Sequence, residues 1–259
     1  MELLHIETDD RGVATLTLNT PDKHNMLSAQ MIAELTQAAA DLGADDAVRV
    51  VILAASGVSF CAGGDLGWMK AQMTATRAER MVEARKLAEM LFALNTMPKP
   101  LIGRVQGQAY GGGVGMMAVC DVVIAAEGAK VGLTETRLGL IPATISPYVL
   151  ARMGEAMARR VFMSARIFEA AEAKTLGLVA KVVMPEYLDL AVEAEVKPYL
   201  LAAPGAVAAA KALARALGPV IDDAVIDRTI EALADTWETP AAKEGISAFF
   251  EKRKANWLA

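Results

Sequence analysis

The sequence predicts an α/β fold on three observations. Up to Met184, apolar runs of strand length alternate with amphipathic helical stretches. Two glycine-rich loops follow such runs and lead into helices, and from Pro185 onward helical patterns stand alone. Residues 1–184 are therefore read as an α/β core and residues 185–259 as a helical extension, punctuated by Pro204-Gly205, Gly218-Pro219 and Pro240.

Taken in order, the chain opens on a hairpin, with apolar runs at 3–7 and 13–18 joined by the turn-forming Asp9-Asp10-Arg11-Gly12. A helix follows from the cap candidate Ser28, with Met31, Ile32, Leu35, Ala39 and Leu42 on one face and Gly43 as its stop. Residues 49–54 form the next strand. An amphipathic helix over 77–94 ends before Pro98 and Pro100, then 101–105 reads as a strand, 113–120 as a short helix and 122–125 as a strand.

A chain of 259 residues is long enough to bury one substantial core, because domains usually run ~50–250 residues. With 54% hydrophobic and 22% charged residues, a largely disordered chain is excluded. The net charge of -5 offers no overall attraction to phosphate polymers, so nucleic acid is not an expected partner. Cys61 and Cys120 belong to no CxxC or Cys/His cluster, so neither a metal site nor a disulfide framework is expected. The start, Met1-Glu2-Leu3-Leu4-His5-Ile6-Glu7, lacks a basic n-region and a long apolar stretch, and no apolar run nears the ~20 residues of a spanning helix. The expectation is a cytoplasmic protein with no membrane association. Its apolar helical tail must pack on the core or on another subunit.

The candidate site lies in two loops, Ser59-Phe60-Cys61-Ala62-Gly63-Gly64-Asp65-Leu66 and Gly107-Gln108-Ala109-Tyr110-Gly111-Gly112-Gly113-Val114-Gly115. Both run into helices, so their backbone N–H groups are available to an oxyanion or a phosphate. The competing reading is that the glycines serve only turns and close packing. Gly113-Val114-Gly115-Met116-Met117-Ala118 also matches the dinucleotide pattern GxGxxA, but residues 106–110 separate it from the preceding strand and the helix is short for that unit. Walker A, HExxH and GxSxG motifs are absent. His5 and His24 are the only histidines and neither sits in a triad spacing, so acid–base chemistry falls to carboxylates. From the residues alone, Glu135 is equally a surface charge, a partner of Arg137, or a proton carrier.

Lys23-His24-Asn25-Met26-Leu27, Phe60-Cys61-Ala62-Gly63-Gly64-Asp65-Leu66, Gly111-Gly112-Gly113 with Cys120-Asp121, Glu135 with Leu140-Ile141-Pro142, and Phe249-Phe250-Glu251-Lys252-Arg253-Lys254 follow one another in a familiar order. Together they resemble the enoyl-CoA hydratase/isomerase (crotonase) superfamily over essentially the whole chain. The resemblance implies a spiral of ββα turns with a carboxyl-terminal helical trimerisation region, assembled as a homo-oligomer: a trimer or a dimer of trimers. It implies an acyl-CoA thioester substrate, with coenzyme A part of that substrate and no separate cofactor or metal. The N–H groups of Gly64 and Gly112 would form an oxyanion hole and Glu135 would move the proton. Lys23, His24, Met26, Ala62, Asp65 and Leu66 match positions that contact CoA, and Lys252 matches a lysine that reaches CoA from a neighbouring subunit.

The departure from the pattern lies at Gly115, where two-glutamate hydratases carry the first of their carboxylates. The stretch Leu133-Thr134-Glu135-Thr136-Arg137-Leu138-Gly139-Leu140-Ile141-Pro142-Ala143-Thr144-Ile145-Ser146-Pro147, with Gly115, is similar to bacterial methylglutaconyl-CoA hydratase-like members. Hydration of a 2-enoyl-CoA, a branched glutaconyl thioester first among them, is the expected reaction. Isomerisation of a 3-enoyl-CoA is the alternative, since a shifted proton needs only one carboxylate. Thioester hydrolysis, decarboxylation, or a non-catalytic CoA-binding or RNA-associated oligomer stand further off. Trp68, Met69, Met73, Met116 and Ile145 are candidates for the acyl pocket, set against ordinary core packing.

Overall fold

The structure is a computed structural model and describes residues 1–258; Ala259, the last residue of the expected helical extension, lies outside the described residues. The hairpin of β1 (Leu4–Thr8) and β2 (Val13–Leu18) is antiparallel, followed by α1 (Ala29–Ala44) and β3 (Val50–Ala55). Then come β4 (Ser59–Cys61), α2 (Leu66–Thr74), α3 (Arg77–Thr96), β5 (Leu101–Val105), β6 (Gln108–Tyr110), α4 (Gly112–Val119), β7 (Val122–Ala126) and β8 (Lys130–Gly132). The core closes with α5 (Ser146–Phe162), β9 (Ile167–Glu169), α6 (Ala170–Thr175) and β10 (Lys181–Val183). Four further helices follow: α7 (Leu188–Leu200), α8 (Pro204–Leu217), α9 (Asp223–Trp237) and α10 (Pro240–Phe250).

The strands form two sheets, of order β1-β2-β3-β5-β7-β10 and β4-β6-β8-β9. Three times a long strand in the first sheet hands the chain to a three-residue strand in the second and then to a helix: β3 to β4, β5 to β6, β7 to β8. Successive turns stack in parallel register, Val51 on Leu101 and Ile102 on Val122, with Ala109 on Val131 in the small sheet. This is the crotonase-like ββα spiral.

Ser28 caps α1 through its side chain, which accepts from the Met31 N–H, and the predicted face is buried. Gly43, expected as the stop, lies inside the helix, where the missing side chain admits Pro98: a Cβ at Gly43 would lie 3.3 Å from its ring. The segments 59–61 and 106–110, read from sequence as loop, contain β4 and β6. Their hydrogen-bond partners lie far along the chain, so no local signal marks them. Among the described residues no single helix is long and apolar enough to cross a membrane.

Residues beyond Pro185 are not a free-standing body. Leu188, Ala191, Val192 and Val196 of α7 cover one face of the large sheet at Val50, Ile102 and Ile124, while Ile226 and Ile230 of α9 pack on Ala84 and Ala88 of α3. At α10, Ala242 and Ile246 cluster with Trp237 and Leu140. Of these four helices α8 alone, among the described residues, buries none of its side chains.

Candidate active site

The segment 20–28 is held against the end of β4 by one buried side chain. Asn25 accepts from the Thr20 N–H through Oδ1 (2.9 Å) and donates through Nδ2 to the carbonyls of Ser56 and Ser59, both at 2.9 Å. A buried amide whose hydrogen bonds are all met fixes a loop firmly. The loop then pairs with the first glycine segment: Ala62 N–H donates to the His24 carbonyl (3.0 Å), Leu27 N–H to Gly63 (2.8 Å) and Asp65 N–H to Leu27 (3.1 Å). In this parallel bridge between Leu27 and Gly64, the neighbours of Gly64 make the bonds. The N–H of Gly64 therefore points to the other side and has no main-chain acceptor among the described residues.

Across from it, Gly111 N–H donates to Gly132 (3.0 Å) and Gly111 takes φ 49, a left-handed turn that starts α4 at Gly112. As the first residue of α4, Gly112 has no residue four earlier in the helix to accept its N–H. A Cβ at Gly112 would lie 2.6 Å from Leu27 Cδ1, so the two glycine segments meet through Leu27. Gly64, Gly112 and Glu135 line one cavity of about 130 Å³. Its remaining walls are mainly apolar, with Trp68, Met69, Leu140 and Ile145 from the core and Leu233 and Trp237 from α9.

Glu135 opens a 3-10 turn, Glu135–Leu138, that is pinned by Leu140 N–H donating to the Glu135 carbonyl (3.1 Å) and by Gly139 pressed against Ala241 of α10. The residue keeps some surface toward the cavity, while carboxylate Oε2 is sealed and has no partner among the described residues. Burial pushes the carboxyl up to about 7, against a smaller lowering by its own main-chain N–H. Arg137 is exposed and forms no ion pair with it among the described residues. A carboxyl that titrates near neutrality beside two free N–H donors has the composition of a site that moves a proton while stabilising charge on a neighbouring oxygen.

The other residues named from sequence are distributed around this centre. Lys23, His24 and Leu66 are exposed and Met26, Ala62 and Asp65 partly so, all on the two paired segments but none lining the cavity. Asp65 also caps α2, accepting from Trp68 N–H at 2.9 Å, and His24 Nδ1 lies 2.8 Å from Ser59 Oγ. Lys252 lies just past α10 with φ 54, and no hydrogen bond or ion pair among the described residues joins it to the 20–28 segment. Trp68, Met69 and Ile145 line the cavity, whereas Met116 is core and Met73 is outside it. Sequence reasoning missed Asn25, Leu27, Leu233 and Trp237. The first pair carried a signal in the 23–27 motif, and the second, far along the chain, carried none.

At Gly115 the second carboxylate has no room: a Cβ there would lie 2.4 Å from Ile145 Cγ2, so Ile145 fills that place. No cluster of three or more His, Cys, Asp or Glu residues able to hold a metal occurs among the described residues.

Comparison with known proteins gives one family throughout. The family described as enoyl-CoA hydratase/isomerase matches residues 8–259. A putative enoyl-CoA hydratase of Thermus thermophilus is 35% identical over 251 residues, 96% of this chain and 98% of that protein. The human mitochondrial methylglutaconyl-CoA hydratase is 33% identical over 267 residues, 98% of this chain and 76% of that protein. Among solved structures, a putative enoyl-CoA hydratase from Mycobacterium avium paratuberculosis superposes with a TM-score of 0.87 at 32% identity, covering 99% of this chain and 100% of that one.

Proposed function

The chain belongs to the enoyl-CoA hydratase/isomerase family, and from that premise we propose that it adds water to a 2-enoyl-CoA thioester, with Glu135 as the one acid/base. The observation that carries the reading is the convergence of the Gly64 and Gly112 segments with a near-neutral Glu135 on one small cavity. The thioester oxygen takes the two N–H groups, and water adds to the β-carbon as its π electrons pass toward that oxygen. Glu135 takes a proton from the water and returns it to the α-carbon, so one carboxylate suffices for addition on one face. Lys23, His24, Met26, Ala62, Asp65 and Leu66, on the two paired segments that also carry Gly64 and Leu27, are proposed to hold the CoA moiety.

A branched glutaconyl thioester is the first acyl group to test, on the likeness to the human methylglutaconyl-CoA hydratase. Among the described residues the cavity lining supplies no cation for a distal carboxylate, which makes crotonyl-CoA the paired comparison. Isomerisation is the second reading, favoured by the single carboxylate. Incubation with 2-enoyl and 3-enoyl thioesters, followed by mass spectrometry, separates them: a gain of one water is expected on a 2-enoyl substrate. Conversion of 3-enoyl to 2-enoyl thioester with no gain of mass overturns hydration.

A further inference from the structure

Resting on the hydratase reading, we infer that Thr144 is a second catalytic residue, whose hydroxyl holds the attacking water opposite Glu135. Thr144 is 6% exposed and lines the cavity that holds Glu135, Gly64 and Gly112. Its hydroxyl has no hydrogen-bond partner among the described residues, yet it is not among the sealed polar atoms. The residue lines this cavity, and a hydroxyl left unpaired in a buried residue is completed by whatever lies against it.

The water's own geometry selects this residue. To attack carbon, a water presents a lone pair forward and needs acceptors for both of its protons. Glu135 accepts one. Among the other cavity-lining side chains, Thr144 carries the only hydroxyl. Trp68 and Trp237 offer an indole N–H, which donates and cannot accept, and that of Trp68 is already given to Glu83 at 3.2 Å. A volume of about 130 Å³ holds a short acyl end together with a water that takes roughly 30 Å³.

The chain places the two groups on one rigid segment. Leu140 N–H returns to the Glu135 carbonyl (3.1 Å), Ala143 N–H to Ile141 (2.8 Å), and the Ser146 hydroxyl to Ala143 (2.6 Å). Ile145 sinks into the space left by Gly115, and its neighbour Thr144 is left on the cavity wall. The residue that denies a carboxylate at 115 is thus the chain neighbour of the hydroxyl at 144. In the step itself the water oxygen bonds to the β-carbon and the double-bond pair moves to the thioester oxygen on the Gly64 and Gly112 N–H groups. One water proton passes to Glu135 and on to the α-carbon, while the other stays on the new hydroxyl, held until then by Thr144 Oγ1.

Thr144→Val keeps the shape and removes the hydroxyl; Thr144→Ser keeps the hydroxyl. On the enoyl-CoA that the parent hydrates, kcat of the valine variant should fall about 10- to 100-fold, the loss of one hydrogen bond to the reacting water. KM should stay within about twofold, the acid limb of the pH profile should remain with Glu135, and serine should restore most of the rate. Parental kcat in Thr144→Val overturns the assignment. So does a displaced acid limb or a raised KM, which places Thr144 in the support of Glu135 or of binding. A parent that only isomerises 3-enoyl thioesters overturns the hydratase reading itself, a result visible before any variant is made.

Discussion

Glu135 is the residue whose environment has a measurable signature. Its carboxyl is pushed up to about 7 in the folded protein from an ordinary 4.5, because burial penalises the charged form. Between these values the folded chain holds a proton that the unfolded chain has released. Its contribution to stability is therefore complete below about pH 4.5 and is lost as pH rises through about 7, a difference on the order of 3 kcal/mol. Glu135→Gln cannot ionise and lacks that slope. Urea unfolding should show the parent losing stability relative to the variant from pH 5 to 8, and identical slopes would refute the burial of this carboxyl. Activity moves the opposite way, since the base must be ionised. The acid limb of kcat/KM should lie near 7, and Glu135→Gln should lose ~10²–10⁴ in rate with CoA affinity retained.

Among the elements, the two glycine segments differ in what a side chain would meet. A Cβ at Gly64 would lie 3.9 Å from the Trp68 ring, an ordinary contact, and the Gly64 N–H enters no main-chain bond. Gly64→Ala should therefore keep turnover close to the parental rate. Gly64→Pro removes the donor and should cost about 10²–10³ in kcat at unchanged fold, as judged by circular dichroism and CoA binding. Equal rates for the two variants would place the oxyanion elsewhere. The same elements show what was legible in the sequence. Helical periodicity marked α1 and α3, apolar runs of four to six residues marked β3, β5 and β7, and small residues in succession marked the site-bearing segments. The strands β4, β6, β8, β9 and β10 have three residues each, too few to carry a period, and their partners are set by the spiral. The stop at Gly43 was misread because a glycine that admits a neighbouring proline looks locally the same as one that ends a helix.

At the scale of the molecule, the ββα turns leave no sequence repeat, because successive large-sheet strands begin at Val50, Leu101 and Val122, with no common period. The helical tail was legible as apolar, and its packing shows which part is left uncovered. While α7, α9 and α10 each bury a face, α8 buries none, and around it Leu201 is 91% exposed and Leu217 is 80% exposed. Such a surface is costly in water, so α8 is expected to be covered by another copy of the chain, in a trimer or a dimer of trimers. Light scattering at micromolar concentration should give three or six times the 27.4 kDa chain mass. Leu213→Glu with Leu217→Glu should return the species to a single chain. If Lys252 reaches the CoA of a neighbour, assembly and binding are linked by mass action. Lys252→Ala should then weaken CoA thioester binding in the assembled protein, and the dissociated double variant should show the same weakening. Adding Lys252→Ala to that dissociated variant should change nothing further, because its partner is already gone. A monomeric parent that binds CoA thioester with full affinity would remove both the assembly and the role of Lys252.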